Sequence, residues 1–131
     1  MANGLTFSPN RQVLHVIDTI GTSIHLFHKI DSSGKLSPLA QFTLPHIADN
    51  VATRKTGSES YELILGTVPN LKHPAGVTIV TFSPGYEAMR TEDLIISTGH
   101  PPGNLFNIAS AARWGQKMVV GGPAMKGVLV C

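Results

Sequence analysis

The hydrophobic positions of this 131-residue chain fall in short runs that are separated by glycine, proline and polar residues. Runs of about five to eight apolar residues between turn residues are typical of β-strands. No window repeats its apolar residues every 3.6 positions, so we expect few helices and an all-β fold. The predicted strands are residues 4–7, 12–18, 23–29, 40–44, 50–53, 61–67, 77–82, 94–98, 105–111, 117–121 and 127–130.

One pattern recurs along the chain: a short apolar strand, a polar or glycine-containing turn, and a longer apolar strand. It begins near residues 3, 49 and 106, so its spacings are 46 and 57 residues. A four-stranded blade of a β-propeller takes roughly 40 to 50 residues. We therefore interpret the chain as blade-like repeats near 3–48, 49–103 and 104–131, with four strands in each of the first two and three in the last.

The strand count predicts an incomplete ring. A propeller closes only with about four to eight blades around a central channel. About two and three-quarter blades of four-stranded antiparallel sheet leave unpaired strand edges at both ends. We expect residues 1–131 to form the C-terminal portion of a single larger propeller domain, in which the N-terminal strand of the ring completes the last blade.

Composition and charge narrow the classes of function. Hydrophobic residues make up 42% of the chain and charged residues 14%, which favours a folded domain. The net charge is +2, and the basic residues are scattered, so nucleic-acid binding is not expected. No apolar run approaches the roughly 20 residues of a membrane-spanning helix, and no signal peptide is visible. The lone Cys131 fits either a cytosolic protein or half of a disulfide whose partner lies elsewhere.

Oxygen-bearing side chains stand at corresponding points of the first two repeats. Asn3 opens the first repeat, and Asp49 and Asn50 open the second. In a propeller, the ends of these innermost strands line one mouth of the central channel, where Asn and Asp oxygens suit a hard cation such as calcium. Adjacent strand residues point to opposite faces, so Asp49 and Asn50 reach one ion only if the backbone turns between them. Asx turns ahead of a strand are the alternative interpretation.

A series of motifs resembles the C-terminal half of the paraoxonase/arylesterase family. In order they are ANGLTFSPNRQVLHVIDT, IHLFHK, ADNVA, LGTVPN and the terminal VLVC, and the match runs over essentially the whole chain. The resemblance implies a six-bladed propeller with calcium in its channel that hydrolyses aryl esters, lactones and some organophosphates. It implies that Asn3, Asp49 and Asn50 coordinate the calcium ion, and that Cys131 forms a disulfide with a cysteine outside this chain.

The resemblance also implies what this chain does not contain. The catalytic histidine pair of the family and its remaining calcium ligands belong to the N-terminal half, so the catalytic residues are unknown and the isolated chain is expected to be inactive. Val68 stands where the family often has histidine. The implied partners are a small ester or lactone substrate, a membrane or lipoprotein surface, and the missing N-terminal half. The implied location is extracellular or membrane-associated.

The remaining candidate residues and functions carry less weight. His25 and His28 would point to opposite faces of one strand with no third ligand nearby, so we expect no histidine metal site. His46 precedes the Asp-Asn pair and is interpreted as a loop residue rather than a general base. Trp114 is expected to fill an interface between blades. A non-catalytic propeller scaffold or interaction module and a gluconolactonase-like propeller remain alternative functions.

Overall fold

The structure is a computed structural model that describes residues 1–29, 33–68, 75–95, 110–122 and 129–130. Its described parts contain β-strands and one short 3-10 turn, Pro84–Tyr86. The strands are β1 (Ala2–Phe7), β2 (Val13–Asp18), β3 (Ser23–Lys29), β4 (Leu36–Thr43), β5 (Ala48–Lys55), β6 (Tyr61–Thr67), β7 (Gly76–Phe82), β8 (Met89–Ile95), β9 (Ser110–Trp114), β10 (Lys117–Gly121) and β11 (Leu129–Val130).

The strands form three antiparallel sheets in chain order. The first sheet is β1-β2-β3-β4, the second is β5-β6-β7-β8, and the third is β9-β10-β11. Every strand pairs with the strand that precedes or follows it in the sequence, as in a meander. The all-β prediction is therefore confirmed, and the described residues contain no α-helix, in line with the expectation of few helices. The described sheets do not close into a ring.

The first and second sheets share the larger apolar core, which we call the first interface. Ile17 and Leu26 of the first sheet pack with Leu63, Leu65 and Val80 of the second, and all five are essentially inaccessible to solvent. The pattern of β2 explains this burial, because its residues alternate between buried and half-buried positions. Alternating residues of a strand point to opposite faces, so one face of the first sheet is turned toward the second sheet.

The opposite face of the second sheet packs on the third sheet, at what we call the second interface. Ile64, Val77 and Ile79 contribute from the second sheet, and Met118 and Val120 contribute from the third. The second sheet therefore lies between the other two. Strands that are covered on both faces need apolar residues at nearly every position, which accounts for the continuous apolar sequences of β6 and β7.

The first strands of the sheets lie next to one another. β1 contacts β5, and β5 in turn contacts β9. Each sheet therefore presents its first strand toward the same line through the molecule, and its later strands follow outward in sequence order. This arrangement brings the beginnings of β1 and β5 together, and the candidate ligands lie at those beginnings.

The starts of two predicted strands were wrong by four or more residues. β4 begins at Leu36 rather than at residue 40, and β8 begins at Met89 rather than at residue 94, whereas residues 96–98 of the second prediction lie outside the described parts. Both are edge strands of their sheets, where polar side chains and a proline such as Pro38 are tolerated. A prediction built on apolar runs does not detect such strands. β9 occupies Ser110–Trp114 rather than residues 105–111, and residues 105–109 lie outside the described parts.

Trp114 does not fill an interface between sheets of this chain. Its side chain is 84% exposed at the end of β9. The residue that follows, Gly115, has a φ of 60° and starts the tight turn to β10. Ala111 and Arg113 of β9 face the second sheet, so Trp114 lies on the opposite face of the third sheet, and the prediction that it fills an interface is not met between the described sheets.

Candidate functional site

The three candidate calcium ligands lie at the start of the first strands of the first two sheets. Asn3 is the second residue of β1, and Asp49 and Asn50 are the second and third residues of β5. Because β1 lies beside β5, the side chains of Asn3 and Asp49 meet although 46 positions separate them in the sequence. Asn3 and Asn50 are exposed and Asp49 is half-buried, so the cluster is open to solvent.

β1 carries a β-bulge at the position of Asn3. The pairing of β1 with β2 shifts by one residue between Ala2 and Leu5. Asn3 and Gly4 together therefore oppose the single residue Ile17. A bulge of this kind bends the strand and redirects the side chains at the extra residue.

The same irregularity recurs in β5. Its pairing with β6 shifts by one residue between Ala48 and Val51, so Asp49 and Asn50 together oppose Gly66. A regular strand would send these two neighbours to opposite faces. In the bulge, Nδ2 of Asn50 lies 3.4 Å from Oδ1 of Asp49. The backbone turn that Asp49 and Asn50 would need to reach one ion is therefore present.

Gly4 lets the two bulged strands approach each other closely. A Cβ atom at this position would lie 2.6 Å from the carbonyl oxygen of Asp49 and 3.2 Å from Cα of Asn50. It would also lie 3.1 Å from Cγ1 of Ile17 in the neighbouring strand. Glycine is therefore the residue that allows close backbone approach here, and it brings Asn3 within reach of Asp49.

One carboxylate oxygen joins the three candidate ligands. Nδ2 of Asn3 and Nδ2 of Asn50 both donate to Oδ1 of Asp49. Each carboxamide also has a carbonyl oxygen, and rotation about its last side-chain torsion exchanges the oxygen with the nitrogen. The cluster therefore offers one carboxylate and two amide oxygens, which is the donor chemistry that calcium prefers. The residues fit a hard cation, although three side chains fall short of the roughly six to eight oxygens that surround calcium.

Hydroxyl groups hold β1 against β5 beyond the bulges. Oγ1 of Thr53 donates to the carbonyl oxygen of Phe7 over 2.9 Å and lies 2.8 Å from Oγ1 of Thr6. The first bond joins a side chain to the backbone and the second joins two side chains, and both link β1 to β5. They fix the separation of β1 and β5 at a point farther along both strands than the candidate ligands.

A histidine and two tyrosines form a polar network inside the first interface. His15 of β2 is fully buried, and its Nε2 lies 2.8 Å from the hydroxyl oxygen of Tyr61 in β6. The hydroxyl of Tyr61 donates to that of Tyr86 over 2.9 Å. The ring of His15 also stacks on Phe82 at a centroid distance of 5.8 Å. The network joins the first two sheets inside their shared core.

Burial controls the protonation of this network. Desolvation lowers the pKa of His15 from 6.5 to about 4, and a weaker bond to the carbonyl of Thr6 acts in the opposite direction. Burial, followed by the bond to Tyr86, raises the pKa of Tyr61. His15 therefore stays neutral at neutral pH and serves the fold. The sequence placed His15 within a strand and assigned it no partner.

His46 joins the connection that leads into β5 to the edge strand β8. Its Nε2 lies 2.6 Å from Oδ2 of Asp93 in β8, and Oγ1 of Thr78 donates to the other oxygen of the same carboxylate over 2.7 Å. A histidine oriented by a carboxylate can act as a general base. Here the other ring nitrogen of His46, Nδ1, is buried and is not presented to solvent. His46 lies in the connection between β4 and β5, as expected of a loop residue.

Several expectations lie beyond what the described residues can address. Cys131 falls outside them, so its expected disulfide stays a prediction. Across the described ranges, no group of three or more His, Cys, Asp or Glu side chains is placed to hold a metal. The same ranges contain no helix with the length and hydropathy of a membrane span.

No protein-family model matches the chain, and no curated protein matches it significantly. The resemblance of its motifs to the paraoxonase/arylesterase family therefore stays a prediction from the sequence.

Proposed function

We propose that this chain carries part of the calcium site of a hydrolase that acts on aryl esters and lactones, with Asn3, Asp49 and Asn50 as ligands of Ca²⁺. The observation that carries the proposal is the meeting of these three side chains at the paired bulges of β1 and β5. The motif resemblance supplies the class of reaction, and the donor chemistry of the cluster agrees with the metal.

We further propose that the three sheets are consecutive blades of a six-bladed propeller. The antiparallel order of each sheet and the adjacency of β1, β5 and β9 support this arrangement. In such a ring, the beginnings of β1 and β5 would face one mouth of the central channel. Asn3 and Asp49 would then stand beside the path by which a small substrate enters.

The residues of the chain divide the work at the site. Asp49 supplies the negative charge, and Asn3 and Asn50 supply neutral oxygens. Gly4 and the two bulges keep the three side chains on one side of the strands. When bound, calcium polarises an ester carbonyl and stabilises the oxyanion that develops during hydrolysis. With three protein ligands, the chain by itself is expected to bind calcium weakly and to have no measurable esterase activity.

The test of this function is aryl-ester hydrolysis by the natural polypeptide that carries this sequence. We expect phenyl acetate to be hydrolysed in calcium, no hydrolysis after chelation with EDTA, and recovery when calcium returns. Asp49→Asn should reduce the rate at least about a hundredfold, because it removes the charged ligand. Glu59→Gln, in the exposed turn before β6, is the matched control and should leave the rate unchanged.

Two results would lead to other functions. Calcium binding without hydrolysis of any ester or lactone would favour a non-catalytic propeller scaffold. Hydrolysis of sugar lactones, but not of aryl esters, would favour a gluconolactonase-like enzyme. Hydrolysis that persists in EDTA and in Asp49→Asn would contradict the proposed role of the cluster.

A further inference from the structure

The connection between β4 and β5 crosses from the first sheet to the second and leads directly to the candidate ligands. Leu44 and Ala48, at its two ends, are both buried in the core of the first interface. The backbone nitrogen of Leu44 donates to the carbonyl oxygen of Thr22 over 2.8 Å, which ties one end to the turn before β3. Asp49 follows Ala48, so the path of residues 45–47 sets where the bulge of β5 begins.

The bulge of β5 is held unequally on its two sides. Within the described strands, a single pair of the β5–β6 ladder, Ala48 with Thr67, precedes the two bulged residues, whereas five pairs follow them. The side before the bulge gains one further backbone bond, because the nitrogen of Val68 donates to the carbonyl oxygen of Ile47 over 2.9 Å. The orientation of the bulged residues therefore depends on how firmly the few residues before them are held.

His46 attaches this short side to the opposite edge of the second sheet. Its Nε2 lies 2.6 Å from Oδ2 of Asp93 in β8, and its side chain is 16% exposed. Oγ1 of the buried Thr78 donates to Oδ1 of the same carboxylate over 2.7 Å. Thr78 and Asp93 are paired across β7 and β8, on the face that Val80 turns toward the first sheet. Both carboxylate oxygens are engaged, so Asp93 is a fixed point for His46.

The pair of His46 and Asp93 is better placed to orient the bulge than to stabilise the whole fold. The side chain of Asp93 is 39% exposed, and pairs of ionisable side chains that are open to solvent contribute little to stability. The ring of His46 is not offered to a substrate, because its Nδ1 is buried and its Nε2 faces Asp93. Only three positions separate His46 from Asp49, so a shift of the histidine would move the start of the bulge.

We propose that His46 and Asp93 position the calcium ligands Asp49 and Asn50 by fixing the connection that enters the bulge of β5. This inference rests on the proposed function, because the pair has ligands to position only where calcium binds. Groups that orient metal ligands without touching the metal commonly change metal affinity by about 10- to 100-fold. His46 and Asp93 act on the ligands through the backbone, and Thr78 keeps Asp93 in the orientation that meets His46.

The test is the dissociation constant of calcium for the natural polypeptide that carries this sequence, measured by calorimetric titration with calcium chloride. We expect His46→Ala and Asp93→Ala each to weaken calcium binding by about 10- to 100-fold, because each releases the connection before the bulge. The urea midpoints without calcium should stay close to that of the wild type. Glu92→Ala is the matched control, since it removes an exposed carboxylate from the opposite face of β8, and its calcium affinity should be unchanged.

Two further variants separate positioning from the mere loss of a side chain. His46→Gln places an amide nitrogen near the position of Nε2, so it should keep the bond to Asp93 and bind calcium within about threefold of the wild type. The double variant His46→Ala/Asp93→Ala should bind calcium no more weakly than either single variant, because the two residues act as one unit. Additive losses in the double variant, or a loss in His46→Gln as large as that in His46→Ala, would overturn the proposal.

The outcomes also distinguish this inference from the calcium site itself. Suppose that the wild type binds calcium and that Asp49→Asn abolishes binding, whereas His46→Ala and Asp93→Ala bind as the wild type does. This result would overturn the positioning role and leave the proposed function intact. Absence of calcium binding by the wild type would overturn both. Equal losses in Asp93→Ala and Glu92→Ala would reveal a general effect of charge on β8 and would also overturn the positioning role.

Discussion

The two interfaces of the second sheet use different polar chemistry. At the first interface, His15 and Tyr61 are hydrogen-bonded in a buried network. The solvent-open cluster of Asn3 and Asp49 lies where β1 meets β5, along the same boundary. At the second interface, the buried Glu62 of β6 is joined to Arg54 of β5 and to Arg113 of β9.

The difference is that the polar groups at one face of the second sheet border the candidate site, whereas those at the other face form an ion pair within the chain. The ion pair of Glu62 is complete within the chain, at 3.0 Å to Arg54 and 3.8 Å to Arg113. The oxygens around Asp49 are exposed and have capacity for a further ligand. We therefore expect perturbation of the first interface to change pH dependence and ligand binding, and perturbation of the second to change stability alone.

The largest expected effect on stability comes from truncating one buried side chain in each of the two cores. Leu63 and Ile64 are neighbours in β6, both nearly inaccessible to solvent, and they face opposite interfaces. Leu63→Ala and Ile64→Ala should each lower the free energy of unfolding by about 2–5 kcal/mol, because each leaves a cavity. We expect Leu63→Ala to cost more, since the aromatic rings around its core hinder collapse. Urea unfolding measures both, and a larger loss in Ile64→Ala would reverse the comparison.

The next effect is a pH dependence that belongs to the first interface. His15 has a folded pKa of about 4 and an ordinary value of 6.5, so the folded protein binds fewer protons than the unfolded chain between these values. The part of the free energy of unfolding that depends on neutral His15 is therefore fully present above pH 6.5. It is lost as the pH falls toward 4, and the loss amounts to up to about 3 kcal/mol.

Substitution of His15 isolates this contribution. His15→Phe keeps a buried ring but has no ionisable group, so the slope of stability between pH 4 and 6.5 should flatten. Urea midpoints measured across this range test the expectation. An unchanged slope in His15→Phe would assign the pH dependence to other groups.

A smaller effect on stability is expected from adding a side-chain atom where the bulges of β1 and β5 approach each other. Gly4→Ala would place a Cβ 2.6 Å from the backbone oxygen of Asp49, so β1 and β5 must move apart at a cost of about 1–3 kcal/mol. Gly121→Ala is the matched control, because no atom lies within 4 Å of its added Cβ. Gly4→Ala should also weaken any calcium binding, whereas Gly121→Ala should not. Equal stability of the two variants would contradict the inference that the close approach of β1 and β5 requires glycine at position 4.

The smallest effect is expected at the second interface. Glu62→Gln removes the charge that joins Arg54 and Arg113, and the expected loss is about 1–2 kcal/mol. Added salt should shrink the difference between wild type and variant, since the two arginines are partly exposed. Calcium binding should not change. A change in calcium affinity in Glu62→Gln would show that the two interfaces are coupled.

The sequence predicted much of the fold, because periodicity and turns are local signals. The buried strands β2, β6 and β7 fall within a residue or two of their predicted ranges. The edge strands β4 and β8 were misplaced because they carry polar residues and proline, which apolar patterning does not detect. Trp114 was predicted to fill an interface because the indole favours burial in general, whereas strand alternation turns it away from the second sheet.

The candidate site depended on the 46-residue repeat. Asn3 meets Asp49 at a separation of 46, and His15 meets Tyr61 at the same separation. The pairing of His46 with Asp93 spans 47 positions. Adjacent sheets set equivalent residues side by side, so the repeat itself could have identified these partners. The bulges could not be predicted, because a one-residue shift of register leaves no clear mark on the local sequence.

The central claim is that the paired bulges of β1 and β5 gather a calcium site. The most direct measurement is the free energy of unfolding of the chain in calcium and in magnesium, each at about 10 mM. With a dissociation constant of about 10⁻⁴–10⁻³ M, calcium should stabilise the wild type by about 1.4–2.7 kcal/mol, and magnesium should not. Asn3→Ala and Asp49→Asn should abolish the difference. Equal stability of the wild type in the two cations, or stabilisation by calcium that survives Asp49→Asn, would contradict the claim.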